Sequence, residues 1–144
     1  MRGIFLALPL IVLLTPHESR AVSGQNLPDS VQAFYIALDT LLKADERPEG
    51  ITPEANVARI RPLMEQVVDG GTKANRAELN SLYPQLGDHF LDDAVAHAQY
   101  VIQVIDGKDP DAMTRAIAAI VRWKKWWNAN QKEATTAILN RYGE

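Results

Sequence analysis

Apolar side chains recur at intervals of three and four residues along almost the whole chain after Pro28. This spacing places them on one face of an α-helix, whereas a half-buried strand would need strict alternation, which no segment sustains. The stretches that interrupt the pattern are short, as they are between the antiparallel helices of a bundle. We therefore predict an all-α fold for residues 22–144, a single domain built as an antiparallel bundle of four to five helices.

The bounds of the predicted helices come from residues that favour helix starts and stops. Three starts carry a capping side chain, followed in two cases by a proline at the first helical position: Asp29 or Ser30, Thr52-Pro53, and Asp109-Pro110. Gly70-Gly71 predicts the end of the second helix, and Pro62 predicts a kink or a division within it. Two further helices are expected at about 72–83 and 88–105. The last helix extends to about Tyr142 or breaks at residues 128–130.

The first 21 residues differ in character from the rest of the chain. Arg2 precedes an uninterrupted apolar run at residues 4–14, and a more polar stretch then ends in Ser19-Arg20-Ala21. A positive start, a short apolar run and small residues before a cleavage point are typical of a secretory signal peptide, here cut after Ala21. The run is too short to cross a bilayer, which takes about 20 apolar residues. We therefore expect a periplasmic or secreted protein that is not transmembrane after cleavage.

Composition and charge exclude several classes of function. The chain has no cysteine, so it has no disulfide framework, thiolate metal site or cysteine nucleophile. The formal net charge is −3 and becomes −4 without residues 1–21, which argues against a nucleic-acid-binding protein. In architecture the chain resembles the periplasmic four-helix b-type cytochromes, whose haem is held by a methionine of the first helix and a histidine of the last. Met64 and Met113 lie elsewhere and no histidine follows His97, so we expect no haem and no other cofactor.

The last predicted helix stands out by its charge and its tryptophans. Residues 112–144 have a net charge of +4, whereas residues 22–111 have a net charge of −8. A helical wheel places Trp127 on the apolar stripe, Trp123 at the edge of that stripe, and Trp126 about 120° away, beside Arg122. The apolar residues of this helix are Met113, Ile117, Ile120, Val121, Trp127, Ala134 and Ile138.

An exposed Trp126 has three interpretations. Arg122 lies one turn away and could stack on the indole within the protein. The tryptophan could instead lie at a membrane interface between lysines, although the acidic body of the chain argues against an anionic membrane. As the preferred hypothesis, we predict a protein-binding surface, as in an inhibitor, immunity protein, chaperone or adaptor. Its predicted residues are Trp126, Arg122, Lys125 and Trp123.

A second hypothesis rests on His89, Asp93 and His97, which follow one another at four-residue spacing. Imidazole and carboxylate groups on one helix face could bind a transition metal or prepare a histidine as a base for hydrolysis. A helical wheel turns His89 and Asp93 toward solvent and places His97 at the border of the apolar stripe, whereas metal sites in bundles use inward-facing ligands. We therefore prefer protein binding, without catalytic residues or a bound metal. A structural role in an envelope assembly is the third hypothesis.

Overall fold

The computed structural model describes residues 27–143, and every regular element in this range is helical. The elements are α1 (Asp29–Asp45), α2 (Pro53–Lys73), α3 (Arg76–Leu82), α4 (Leu86–His89), a π-helical segment (Phe90–Val95), α5 (Ala96–Asp106) and α6 (Ala112–Tyr142). No strand occurs among these residues, so the predicted all-α class is confirmed. The predicted signal peptide at residues 1–21 lies outside the described residues. Within residues 27–143, no helix is both long and apolar enough to span a bilayer.

The predicted starts of the first two helices differ in outcome. Thr52 caps α2 as predicted, because its Oγ1 accepts a hydrogen bond from the backbone N–H of Ala55 at 3.1 Å. In α1, Pro28 occupies the N-cap position and no side chain caps the helix. Ser30 Oγ accepts a hydrogen bond from the backbone N–H of Asn75 instead. The prediction of an Asp29 or Ser30 cap is therefore wrong, because the Ser30 hydroxyl is hydrogen-bonded to the backbone of Asn75 and not to the start of its own helix.

α6 begins at Ala112, slightly later than predicted. Asp109 accepts a hydrogen bond from the backbone N–H of Asp111 at 2.9 Å, so it caps the turn before the helix rather than the helix itself. From Ala112 the helix runs without a break through residues 128–130 to Tyr142. The continuous last helix is thus the correct one of the two alternatives.

α2 continues through both features that were predicted to interrupt it. Pro62 lies inside the helix, and Gly70 and Gly71 lie before its last residues. A Cβ on Gly70 would lie 3.3 Å from the carbonyl oxygen of Ala33, and a Cβ on Gly71 would lie 2.6 Å from Val95 Cγ1. The two glycines therefore allow α2 to approach α1 and the π-helical segment closely, and they do not end the helix.

The core is centred on aromatic side chains from α1, the π-helical segment and α6. Phe34 lies edge-on to Phe90, Trp127 and Trp123, with ring centroids 5.3, 5.7 and 6.5 Å away. Trp123 and Trp127 stack on each other with their centroids 5.3 Å apart. Around this centre, α2 packs against α1 and α5, and α5 packs against α6.

The π-helical segment changes which side chains of residues 86–106 face the core. A straight wheel turns Asp93 toward solvent, but Asp93 is only 5% exposed in the structure. A π-helical turn contains more residues than an α-helical turn, so it rotates the residues on either side relative to the expected faces. The prediction of an exposed Asp93 is therefore wrong, because the wheel assumed an uninterrupted α-helix.

Candidate functional site

The outer face of α6 carries a row of exposed, large apolar side chains. Met113, Ile117 and Val121 follow one another at four-residue spacing and are 54%, 54% and 56% exposed. Over the same stretch, the core face of α6 is formed by buried alanines and Trp123. This part of α6 is therefore apolar on two faces, one of which is packed in the core. We call Met113, Ile117 and Val121 the outer row.

At its Met113 end, the outer row borders an apolar groove. The groove lies between α2, α5 and α6, is open to solvent and has a volume of about 180 Å³. Aliphatic side chains from all three helices line it, among them Val57, Val101 and Met113 itself. The exposed apolar surface thus extends from α6 onto the two neighbouring helices.

Basic side chains border the outer row. Arg115 pairs with Asp109 at 2.5 Å, and Arg122 pairs with Asp93 at 2.9 Å. Lys125 follows Val121 at the same four-residue spacing and is exposed. Within residues 27–143 it forms no ion pair, so its charge remains available at the end of the row.

A polar network fixes Arg122 and Trp126 beside this face. Arg122 Nε donates to Asp93 Oδ1 at 2.9 Å, and Asp93 Oδ2 lies 2.7 Å from His89 Nδ1. The His89 ring stacks on Trp126 with the centroids 4.6 Å apart and 17° between the planes. The stacking of Arg122 on Trp126 considered from the sequence is therefore replaced by stacking of His89. A charge-assisted hydrogen bond to the Asp93 carboxylate is stronger than a cation–π contact at an exposed site.

Tyr83 provides a second contact for Trp126, with ring centroids 6.1 Å apart. The Tyr83 hydroxyl lies 2.8 Å from Glu133 Oε1 and 2.9 Å from Asn130 Oδ1. Its hydrogen bond to the Glu133 carboxylate raises the pKa of Tyr83. Trp126 is consequently half-buried and held in place by Tyr83 on one side and His89 on the other. Trp123, by contrast, is 4% exposed and belongs to the core.

The structure does not bring His89, Asp93 and His97 together around one point. Asp93 contacts His89, but His97 Nδ1 is bonded to the carbonyl oxygen of Ala116 in α6 at 2.7 Å. In the described part of the chain, no group of three or more His, Asp or Glu side chains is arranged to hold a metal ion. His89 retains an imidazole oriented by a carboxylate, which is one component of a general base.

The half-buried position of His97 against α6 predicts a pH-dependent stability. Desolvation lowers the pKa of His97 from 6.5, outweighing the hydrogen bond to Ala116 and the charge of Asp45, which raise it, while Lys124 lowers it further. As the pH falls through about 6.5, the unfolded chain binds a proton that folded His97 resists, so the free energy of unfolding decreases. We expect the thermal midpoint to fall between about pH 7.5 and about pH 5, and to fall less in His97→Gln. Parallel pH profiles of the two proteins would contradict this assignment.

The outer row was missed because the apolar residues of α6 were treated as one set. The sequence nevertheless contains a pattern that could have indicated the outer row, since residues 112–121 contain both alanines and large apolar residues, spaced so that they fall on different helix faces. Small side chains suit the face where helices approach closely, which leaves the large ones on a second face. The resulting surface combines exposed apolar side chains, a lysine without an ion pair among residues 27–143, and an immobilised tryptophan. Of these features, the tryptophan is of a type enriched at protein interfaces. No protein family, curated protein or solved structure matches this chain.

Proposed function

We propose that this chain is a small exported protein, an antiparallel helical bundle once its signal peptide is removed, that acts by binding another protein through the outer face of α6. The observation that carries this proposal is the outer row, in which three large apolar side chains are each more than half exposed. Single exposed apolar residues are ordinary on protein surfaces. A contiguous apolar surface bordered by polar groups favours burial against a partner.

The charges beside the outer row define the chemistry of the partner. Lys125 extends the row, and residues 112–144 have a net charge of +4. A partner with apolar side chains bordered by carboxylates would cover the row and pair with Lys125, and the opposite charges would accelerate the encounter. The net charge of −8 on residues 22–111 opposes binding to anionic lipid. We therefore propose an acidic protein surface as the occupant.

Trp126 and Arg122 form the fixed edge of the proposed surface. His89 stacks on Trp126, and Asp93 binds Arg122, so both side chains are ordered before a partner arrives. Ordering in the free protein reduces the entropy lost on binding. Trp123 contributes by supporting α6 from the core and does not contact the partner.

Ile117→Asp is the sharpest test of the outer row. The chain from residue 22 onward is used as bait for envelope and secreted proteins, and the affinity of a stoichiometric partner is then measured. We expect binding to weaken at least about tenfold, because the variant loses about 1.5–3 kcal/mol of apolar burial. Ile36→Asp is the matched control, since Ile36 is 58% exposed but lies on α1. Equal affinity of Ile117→Asp and the unaltered chain would exclude the outer row from the interface.

Lys125→Glu tests the proposed charge of the partner in the same assay. We expect weaker binding and a smaller loss of affinity with added salt, because a favourable charge pair becomes repulsive. Lys132→Glu, two turns further along α6, is the control with the same change of charge. If the chain bound phosphatidylglycerol vesicles and no protein partner were found, the proposed protein partner would be wrong and membrane binding would be favoured. Self-association alone would favour the structural role in an envelope assembly.

A further inference from the structure

The groove at the Met113 end of the outer row has room for one large apolar side chain of a partner. Every residue in its lining has an apolar side chain, among them Val57 of α2, Val101 and Ile105 of α5, and Met113 of α6. Its volume is about 180 Å³, whereas an engineered apolar cavity of about 150 Å³ in another protein holds a benzene molecule. An aliphatic or phenyl side chain therefore fits the groove, and a polar one would lose its hydrogen bonds with water there.

The helical surface around the groove decides which backbone conformation of a partner can cover it. An extended peptide segment is bound through its backbone when it is added to the edge of a sheet, but residues 27–143 contain no strand that could accept one. The apolar side chains of the groove and the outer row offer no alternative hydrogen-bond partners. An α-helix pairs its own backbone groups within one segment, so it can be buried against this surface without unpaired N–H and C=O groups.

The length of the surface sets the length and the direction of such a helix. Lys125 lies about 18 Å further along α6 than Met113, at a rise of 1.5 Å per residue. A helix that packs on a row of four-residue spacing at about 20° to α6 follows the row over this distance, whereas one at about 50° leaves it sooner. A partner helix that contacts both ends therefore lies nearly along α6.

The charges beside the outer row favour carboxylates next to the apolar face of this helix. Lys125 is exposed and forms no ion pair among the described residues. Arg115 and Arg122 also have exposed side chains, although each pairs with an aspartate of this chain. Glutamate or aspartate in the partner would be attracted to these three cations, and lysine or arginine would be repelled.

We infer that the element bound by this face is an acidic amphipathic α-helix of the partner, at least about 12 residues long. One apolar side chain of this helix fills the groove, further ones lie along the outer row, and carboxylates face Lys125. The inference rests on the proposed protein-binding function and specifies the structural element that is recognised.

Three synthetic peptides of about 16 residues test the inference, with the methyl signal of Met113 in nuclear magnetic resonance spectra as the readout. The first has leucines at three- and four-residue spacing and glutamates beside them, and it should shift the signal saturably. The second has the same composition, but its leucines alternate with polar residues, so it forms an apolar face only when extended. We expect it to bind at least about tenfold more weakly, because it cannot bury its leucines as a helix. Equal affinities, or no shift by the first peptide at millimolar concentration, would overturn the helical element.

The third peptide has the leucines of the first and lysines in place of its glutamates. It should bind more weakly than the first, and the difference should shrink as salt is added, because exposed charges are screened. Equal affinities of these two peptides at low salt would overturn the acidic character of the helix.

A variant of the groove locates the bound helix on the chain. Val57→Asp should weaken binding of the first peptide at least about tenfold, because an apolar side chain would be buried against a carboxylate. Val57 is 44% exposed, so the fold should be retained, and Ile36→Asp on α1 is the matched control. Unchanged affinity of Val57→Asp would exclude the groove. Capture of a protein that depends on Ile117, without binding of the first peptide, would overturn this inference and leave the proposed function in place, whereas failure of both would overturn both.

Discussion

Replacing Phe34 by alanine is expected to lower the free energy of unfolding by about 3 to 5 kcal/mol. Phe34 is fully buried, and its ring meets those of Phe90, Trp123 and Trp127 edge-on. The substitution removes apolar burial from the centre of the core and leaves a cavity, which the stacked indoles cannot fill without losing their own contacts. For a domain of this size, the thermal midpoint should fall by roughly 10 to 20 °C.

Ile36→Ala is the matched control for this prediction. Ile36 lies two residues away on the same helix but is exposed, so its replacement should change the free energy of unfolding by less than about 0.5 kcal/mol. Denaturant unfolding followed by tryptophan emission measures the free energy of unfolding of both variants, because two of the indoles contact Phe34. Similar midpoints for Phe34→Ala and Ile36→Ala would mean that the core is not organised around this ring.

Residue spacing was sufficient to predict the helical class, and α1 shows why. Val31, Phe34 and Leu38 repeat at three- and four-residue steps and are all buried in the structure. Spacing could not predict that α2 continues through Pro62 and Gly70. Both residues disfavour helix when considered locally, yet α2 includes them because its packing against α1 and α5 stabilises the helix as a whole. Whether the helix ends at such residues or continues through them depends on the position of the neighbouring helices.

The candidate site was predicted only in part, because the pattern of one helix does not give the positions of its neighbours. The wheel correctly placed Trp126 on a face of α6 distinct from that of Trp127, and the structure shows Trp126 half-buried and Trp127 in the core. The side chains that hold Trp126 and Arg122 come from segments outside α6, and a wheel of one helix carries no information about them. The π-helical segment then moved Asp93 into reach of Arg122, which a regular α-helical period cannot anticipate.

Gly87→Ala is expected to destabilise the chain by about 3 kcal/mol, because it introduces overpacking against backbone rather than against a side chain. Gly87 lies in α4, and a Cβ at this position would overlap with the carbonyl oxygen of Arg76 and lie 3.0 Å from its Cα. A side chain could rotate away, but these atoms belong to α3 and move only when the helix moves. The substitution must therefore separate α4 from α3.

The movement of α4 away from α3 should also change the surroundings of Trp126 on α6. His89 lies two residues after Gly87 and stacks on Trp126, so we expect the indole signal of Trp126 to shift in Gly87→Ala together with the loss of stability. Gly50→Ala is the control, because Gly50 has φ +77° and nothing within 4 Å of an added Cβ, and only backbone strain of about 1 kcal/mol applies. Equal destabilisation in both variants would show that the contact with Arg76 does not limit the approach of α3 and α4. An unmoved Trp126 signal in folded Gly87→Ala would show that α4 does not set the position of the tryptophan.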